Sequence, residues 1–264
     1  AQAKEIMDNK AQAGLVLTAE YSDLWKEDKK TETNEVMFAL QHSAKHKIAS
    51  NYGKSYYPSD YSPNAGWADY YGNEDFFKAY PNDDRKEWNY MTEWKIKSGE
   101  IIPYTESADK LPAISKYYDY DEGAPGKSAQ SNGITCIYRY AEVLLMYAEA
   151  STRATNSVNQ DALNAIQEVQ KRAGYQDRQI ELTTTTEPTA FLAAVSNERG
   201  WEFFAEMKRW FELVRLEKVK EVRAEEWDAS TFNTNHHYYF PVPYQQVDLA
   251  GWTNNAGSVS YTHL

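Results

Sequence analysis

The stretch from Thr189 to Lys218 constrains this chain more than any other. Leu192, Val195, Phe203, Met207, Trp210 and Val214 recur there three, four or eight residues apart, which puts them on one stripe of an amphipathic helix. The spacing predicts one long helix across the whole stretch. Arg199 falls in the gap of that stripe, where an arginine is tolerated only if its charge is paired. Glu202 and Glu206 lie on nearby turns, and other helices can supply further carboxylates. The expectation is therefore a structural ion-pair network inside a helical packing layer rather than a catalytic group.

The order Glu198-Arg199, Glu202-Phe203, Glu206, Arg209-Trp210-Phe211-Glu212-Leu213 and Arg215 resembles the signature helix of the SusD/RagB family, the outer-membrane nutrient-binding lipoproteins of Bacteroidetes-type bacteria. Further blocks follow the family order. Leu17, Tyr21, Leu24 and Trp25 match a segment that follows a helix closed around Gly14, and Asn34 to Gln41 is similar to a β-strand of the family. Asp83-Asp84-Arg85 resembles the acid-x-arginine step after the family's long loop, and Lys116-Tyr117 is like an edge that precedes its helical region. Arg139, Ala141, Glu142, Leu145, Ala148, Glu149 and Ala150 match a helix predicted over residues 138–152. Leu163-Asn164, Ile166, Val169 and Arg172-Ala173-Gly174 match the next helix, read as capped by Asp161 and ended by Gly174.

Small alanines on these two helices allow the close antiparallel approach of a tetratricopeptide-type pair. Tyr239-Phe240-Pro241-Val242-Pro243, with Val247, Asp248, Asn254, Asn255 and Gly257, resembles the family's C-terminal motif and reads as an extended edge segment. Gln246, Ala256 and the run from Ser258 to Leu264 depart from that pattern. The resemblance runs from about residue 1 to 257 and implies a mainly α, SusD-like helical scaffold lacking the N-terminal half of family members. Three regions are expected: 1–50, a scaffold helix and short strand; 51–125, a loop-rich ligand face; and 126–264, a helical scaffold with an extended C-terminal segment. The chain opens at Ala1 without a signal sequence and reads as a fragment or a processed product.

Composition narrows the function. A net charge of −11 disfavours partners met through phosphates, so nucleic acid is not expected. No apolar run approaches the roughly 20 residues that a membrane-spanning helix requires, so membrane association is expected only through a lipid anchor outside this chain. A single cysteine, Cys136, removes an internal disulfide and a cysteine-based zinc site. His42 and His46 are four apart but follow a strand-like run with no third ligand, so neither metal nor cofactor is expected. No nucleophile elbow, zinc-protease motif or phosphate-cradling glycine loop occurs, and no carboxylate pair stands out for catalysis.

The aromatic residues carry the positive signal. Tyrosine outnumbers phenylalanine 21 to 9, favouring surfaces that are part apolar and part hydrogen-bonding. Fourteen of the 53 residues from Tyr52 to Tyr104 are aromatic, in a stretch punctuated by Gly, Pro, Asn and Asp without helical period. Sugar rings present an apolar face and a rim of hydroxyls, so flat aromatics and polar side chains together suit them. The candidate ligand-binding residues are Tyr56, Tyr57, Trp67 and Tyr70 for stacking, with Asn64, Asp69 and Asn73 for the hydroxyls. The resemblance implies a surface glycan-binding lipoprotein that serves a SusC-like TonB-dependent transporter without catalysis. Peptide capture, as in RagB-like uptake proteins, an all-helical glycoside hydrolase and a protein-interaction scaffold are the alternatives.

Overall fold

The structure, a computed structural model, describes residues 1–62, 64–117, 131–222 and 237–255. The chain divides into two compact units, Ala1–Glu206 and Met207–Leu264. The expected boundary at 125/126 and the tail from Ser258 to Leu264 lie outside the described residues.

The first unit is built on a helical layer. It opens with α1 (Gln2–Asp8) and α2 (Lys10–Ala13), the latter stopped by Gly14 in the left-handed region at φ +69°. Later in the chain come α6 (Tyr140–Thr155), α7 (Gln160–Arg172) and α8 (Pro188–Glu202). Tyr140, Leu144, Leu145 and Ala148 of α6 share one core with Ala162, Ala165, Ile166 and Val169 of α7 and with Phe191 and Val195 of α8. The fully buried alanines let α6 and α7 approach closely, and the short 156–159 connection makes them antiparallel neighbours, as the tetratricopeptide-type expectation required. The cap of α7 differs from the sequence reading. Asn159 holds that position, its side chain accepting from the Ala162 amide at 2.8 Å, and Asp161 lies inside the first turn.

Between α2 and α6 the chain makes small pieces: a 3₁₀ turn at Tyr21–Leu24, β1 (Val36–Gln41), α3 (Tyr52–Tyr56), α4 (Glu74–Ala79) and α5 (Asp84–Asn89). Strands β2 (Tyr90–Met91), β3 (Glu93–Lys95), β4 (Ile101–Pro103), β5 (Ala113–Ile114) and β6 (Ile134–Arg139) complete it. Strand β1 pairs antiparallel with β6, β2 with β5, and β3 with β4. The loop-rich stretch thus contains short helices and hairpins too brief to leave a period. Tyr138 and Arg139, expected within the helix over 138–152, belong to β6 instead. A second core of Tyr21, Leu24, Trp25, Tyr117, Ile134 and Cys136 lies under the β1–β6 ribbon.

The long helix expected from Thr189 to Lys218 is not continuous. Helix α8 ends at Glu202, and α9 (Arg209–Arg215) begins a new element in the second unit. Ala205 and Met207 take positive φ, at 58° and 60°, which a helix cannot pass through. Side chains capture the carbonyls that a continued helix would use. Tyr80 donates to the Trp201 oxygen at 2.6 Å, Arg139 to Glu202 at 2.7 Å, Lys116 to Phe204 at 2.7 Å and Tyr117 to Ala205 at 3.0 Å. Met207, expected on the apolar stripe, is exposed. Arg199 pairs with a carboxylate from another helix, as the sequence allowed: its Nη2 lies 3.7 Å from Glu142 of α6, while Glu202 and Glu206 bond cations from other elements.

In the second unit α9, α10 (Val219–Val222) and a helix at Tyr244–Ala250 are described. Phe240 packs near Trp210 and Phe211, with ring centroids 6.2 and 6.4 Å away. The segment read as an extended edge joins no sheet among the described residues. The Val242 amide donates to the Asn254 side chain at 3.0 Å, and the Asn255 side-chain amide donates to the Phe240 carbonyl at 2.6 Å.

Candidate functional site

Two groupings in the first unit merit the word site: a buried charge cluster and an aromatic surface. In the cluster, Arg85 bonds Glu198 at 2.5 Å, Glu202 at 2.8 Å and Asp83 at 2.6 Å. Arg139 bonds Glu35 at 2.7 Å and Glu206 at 2.9 Å, and also reaches Glu202. Arg172 bonds Glu35 at 2.8 Å and Glu202, and Lys116 bonds Glu206 at 2.7 Å. These side chains are buried or nearly so.

Burial alone would raise the Glu202 carboxyl, but Arg172, Arg139 and Arg85 hold it well below the usual carboxylate range. Burial likewise works against Glu206, and Arg139 and Lys116 outweigh it, lowering that group. Glu198 goes up, because burial there exceeds the pull of Arg85. Burial brings the Lys116 ammonium down to about 8 against the opposing pull of Glu206. With their charges paired and closed to solvent, these carboxylates hold structure together and cannot meet a substrate.

The aromatic surface grows from α3. That helix is one turn long, and the returning segment satisfies the carbonyls around its end. The Gly66 amide donates to Pro58 at 2.9 Å, Trp67 to Lys54 at 2.6 Å, Ala68 to Tyr57 at 3.0 Å and Asp69 to Ser55 at 2.9 Å. Gly66 is required where it stands, since a Cβ there would lie 2.0 Å from the Tyr57 carbonyl oxygen. This close seam pushes the next residues outward. Trp67 is 51% exposed and Tyr70 62% exposed. The Lys54 ammonium lies 5.0 Å from the Trp67 ring centre. Tyr70 meets Tyr56 edge-on at 5.8 Å, and Tyr56 is backed by Tyr117 at 6.1 Å and Tyr52 at 6.5 Å. Burial, then Tyr52 and Tyr70, push the Tyr56 phenol up to about 12.

The seven candidate residues therefore separate. Trp67, Tyr70 and Asp69 face solvent, and Tyr56 is half-buried behind Tyr70. Tyr57 is a correction. Its side chain is fully buried, with its ring edge-on to Tyr61 at 4.7 Å, and it has no face left for a ligand. The Asn64 amide nitrogen is buried, and the Asn73 side-chain oxygen caps α4 by accepting from the Phe76 amide at 2.9 Å. Sequence reasoning missed Tyr117, Tyr52 and Lys54. The four-residue step from Tyr52 to Tyr56 is a local signal for a shared helical face, whereas nothing local marks Tyr117.

His42 lies in no metal arrangement. Its Nε2 pairs with Thr135 Oγ1 at 2.7 Å and its Nδ1 with the Ile48 carbonyl at 3.1 Å. Among the described residues, no group of three or more His, Cys, Asp or Glu is placed to hold a metal, and no helix is long and apolar enough to cross a membrane.

Comparison with known proteins gives the lineage. SusD-like protein P2 of Formosa agariphila is 25% identical over 264 residues, covering 92% of this chain and 52% of that protein. The chain thus spans about half the length of this relative. A SusD superfamily protein from Parabacteroides distasonis superposes with a TM-score of 0.76 at 22% identity, over 97% of this chain and 56% of that one. Surface glycan-binding protein A from Bacteroides thetaiotaomicron, solved in complex with laminarihexaose, superposes with a TM-score of 0.68 at 23% identity, over 96% of this chain and 58% of that one. The SusD family model matches residues 89–254, more than half of the sequence, and the chain belongs to that family.

Proposed function

We propose that this chain binds an oligosaccharide or polysaccharide at the outer-membrane surface and passes it to a SusC-like TonB-dependent transporter without chemical turnover. The observation that carries this reading is the pair of exposed rings, Trp67 and Tyr70, held on a seam stiffened by hydrogen bonds and backed by Tyr56, Tyr52 and Tyr117. Such rings stack on sugar faces at low entropy cost, because their seats already exist. Asp69, exposed and between them in the sequence, is available to accept from sugar hydroxyls. The laminarihexaose complex of a protein with this fold supports the ligand class. The closure of the charge cluster removes its own carboxylates as candidates for catalysis.

Isothermal titration against laminarihexaose, maltohexaose, xylohexaose, mannohexaose and an extended heptapeptide tests the reading. Wild type binds at least one hexasaccharide and releases no reducing sugar from it. Trp67→Ala weakens that binding about tenfold, the loss expected for a central aromatic anchor worth over 1 kcal/mol. Tyr57→Ala instead lowers stability by about 3–5 kcal/mol, because it empties a closed core position. Unchanged affinity in Trp67→Ala, or binding of the peptide alone, overturns the proposal.

A further inference from the structure

Beside the aromatic surface lies a cavity of about 480 Å³, lined by Ser59, Asp60, Tyr61, Ser62, Ala65, Ile96, Lys97 and Ser98. Its walls are two loops stitched together. Tyr61 bridges Ile96, and the Ser62 amide donates to the Lys95 carbonyl at 2.8 Å. The Trp94 indole donates to Asp60 at 2.8 Å and fixes that carboxylate in the wall. Tyr61 rests edge-on against buried Tyr57. The cavity is therefore preformed rather than a gap between loose ends. Its volume falls in the lower half of the range for small-ligand pockets, about 300–1,000 Å³.

The lining tells what fits. Serine hydroxyls both donate and accept, Tyr61 offers a ring, and Ile96 and Ala65 offer apolar patches. Lys97 and Asp60 contribute one charge of each sign, so the pocket as a whole is neutral. That combination suits a neutral sugar residue better than a uronate or a sulfated sugar. Position tells which residue. Ala65 lines the cavity and Trp67 is the exposed ring, and two residues of backbone reach at most about 7 Å.

We infer that the Ser59–Ser98 cavity is a second sugar subsite, which takes the neutral residue next along the chain from the one stacked on Trp67. This rests on the glycan-binding reading above. It extends that reading from a flat platform, indifferent to the neighbouring sugar, to a site that selects for the size and linkage of that neighbour.

Ala65 and Ser98 are both exposed, so Ala65→Leu/Ser98→Leu fills the cavity with groups that cannot hydrogen-bond while leaving the core intact. The thermal midpoint of the double variant is expected to match wild type. Titration with the hexasaccharide that wild type takes from the panel, and with the corresponding disaccharide, then separates the subsites. Affinity of the double variant for the hexasaccharide falls at least tenfold, and Trp67→Ala retains residual disaccharide binding that the triple variant loses. A double variant that binds both saccharides as wild type does, while Trp67→Ala loses them, overturns the subsite and leaves the platform standing. A wild type that binds no saccharide in the panel removes the platform, and the subsite with it.

Discussion

Glu202 sits where three guanidinium groups, from Arg85, Arg139 and Arg172, converge with almost no access to water. Removing one partner from such a cluster leaves uncompensated charge in a poorly polarisable interior, and the loss exceeds what the pair contributes when intact. Glu202→Gln is therefore expected to destabilise the protein by about 3–5 kcal/mol at neutral pH, read as a fall in the urea midpoint. Exposed pairs such as Lys29–Glu32 lie in water that screens them, and their removal is expected to be nearly silent. That an ion network lies along this stretch was legible in the pattern of Glu198, Arg199, Glu202 and Glu206. Its membership was not. Arg199, the residue that raised the question, turns to Glu142, while the carboxylates take Arg85, Arg139, Arg172 and Lys116. Arg85 and Glu198 are 113 positions apart, and pairing over that span is decided by the fold rather than by local spacing.

At the scale of elements, local chemistry decides where each helix begins and ends. Asn159 caps α7 through its side chain, and Asp161 lies two residues further on without that bond. Asn159→Ala is expected to cost about 1 kcal/mol and Asp161→Ala clearly less, a contrast that thermal unfolding of the two variants would show. Helices α6 and α7 were legible because their apolar positions repeat at helical spacing and alanines mark the crossing. The end of α8 was not, because its apolar stripe carries on through Phe203 and Met207. Donors from Tyr80, Lys116, Tyr117 and Arg139, brought in from other elements, take the carbonyls on which continuation depends. The same limit applies to the aromatic surface. The density of rings from Tyr52 to Tyr71 could be read as one that no regular core absorbs, but not which ring faces out. Tyr56 and Tyr57 are adjacent and chemically identical, yet the extended backbone at Tyr57 turns its side chain into the core.

Across the first unit as a whole, the charge cluster and the aromatic surface are mechanically joined. Lys116 bonds Glu206 at 2.7 Å, and its neighbour Tyr117 is the ring that backs Tyr56 under the exposed Tyr70. Asp83 and Arg85, at the start of α5, tie the far end of the aromatic stretch to Glu198 and Glu202 of α8. Protonating the cluster should therefore release both attachments together. Glu202 and Glu206 are held below the ordinary glutamate value of 4.5, so the stability they contribute is complete above that value and is lost as the pH falls through their lower folded values. Glu198 and Asp83 are raised by burial and act in the opposite sense, favouring the folded state as they take up protons, so within the cluster the acid loss is carried by Glu202 and Glu206. Near-ultraviolet circular dichroism and hexasaccharide affinity, followed from pH 7 downward, are expected to fall in one transition below about 4.5, where carboxylate linkage operates. In Glu202→Gln the affinity per folded molecule at pH 7 should stay that of wild type, while the acid limb of its stability becomes shallower, because one of the two carboxylates that drive it is gone. Affinity that disappears at a pH where the dichroism is still native would mean that the face titrates on its own, independently of the cluster.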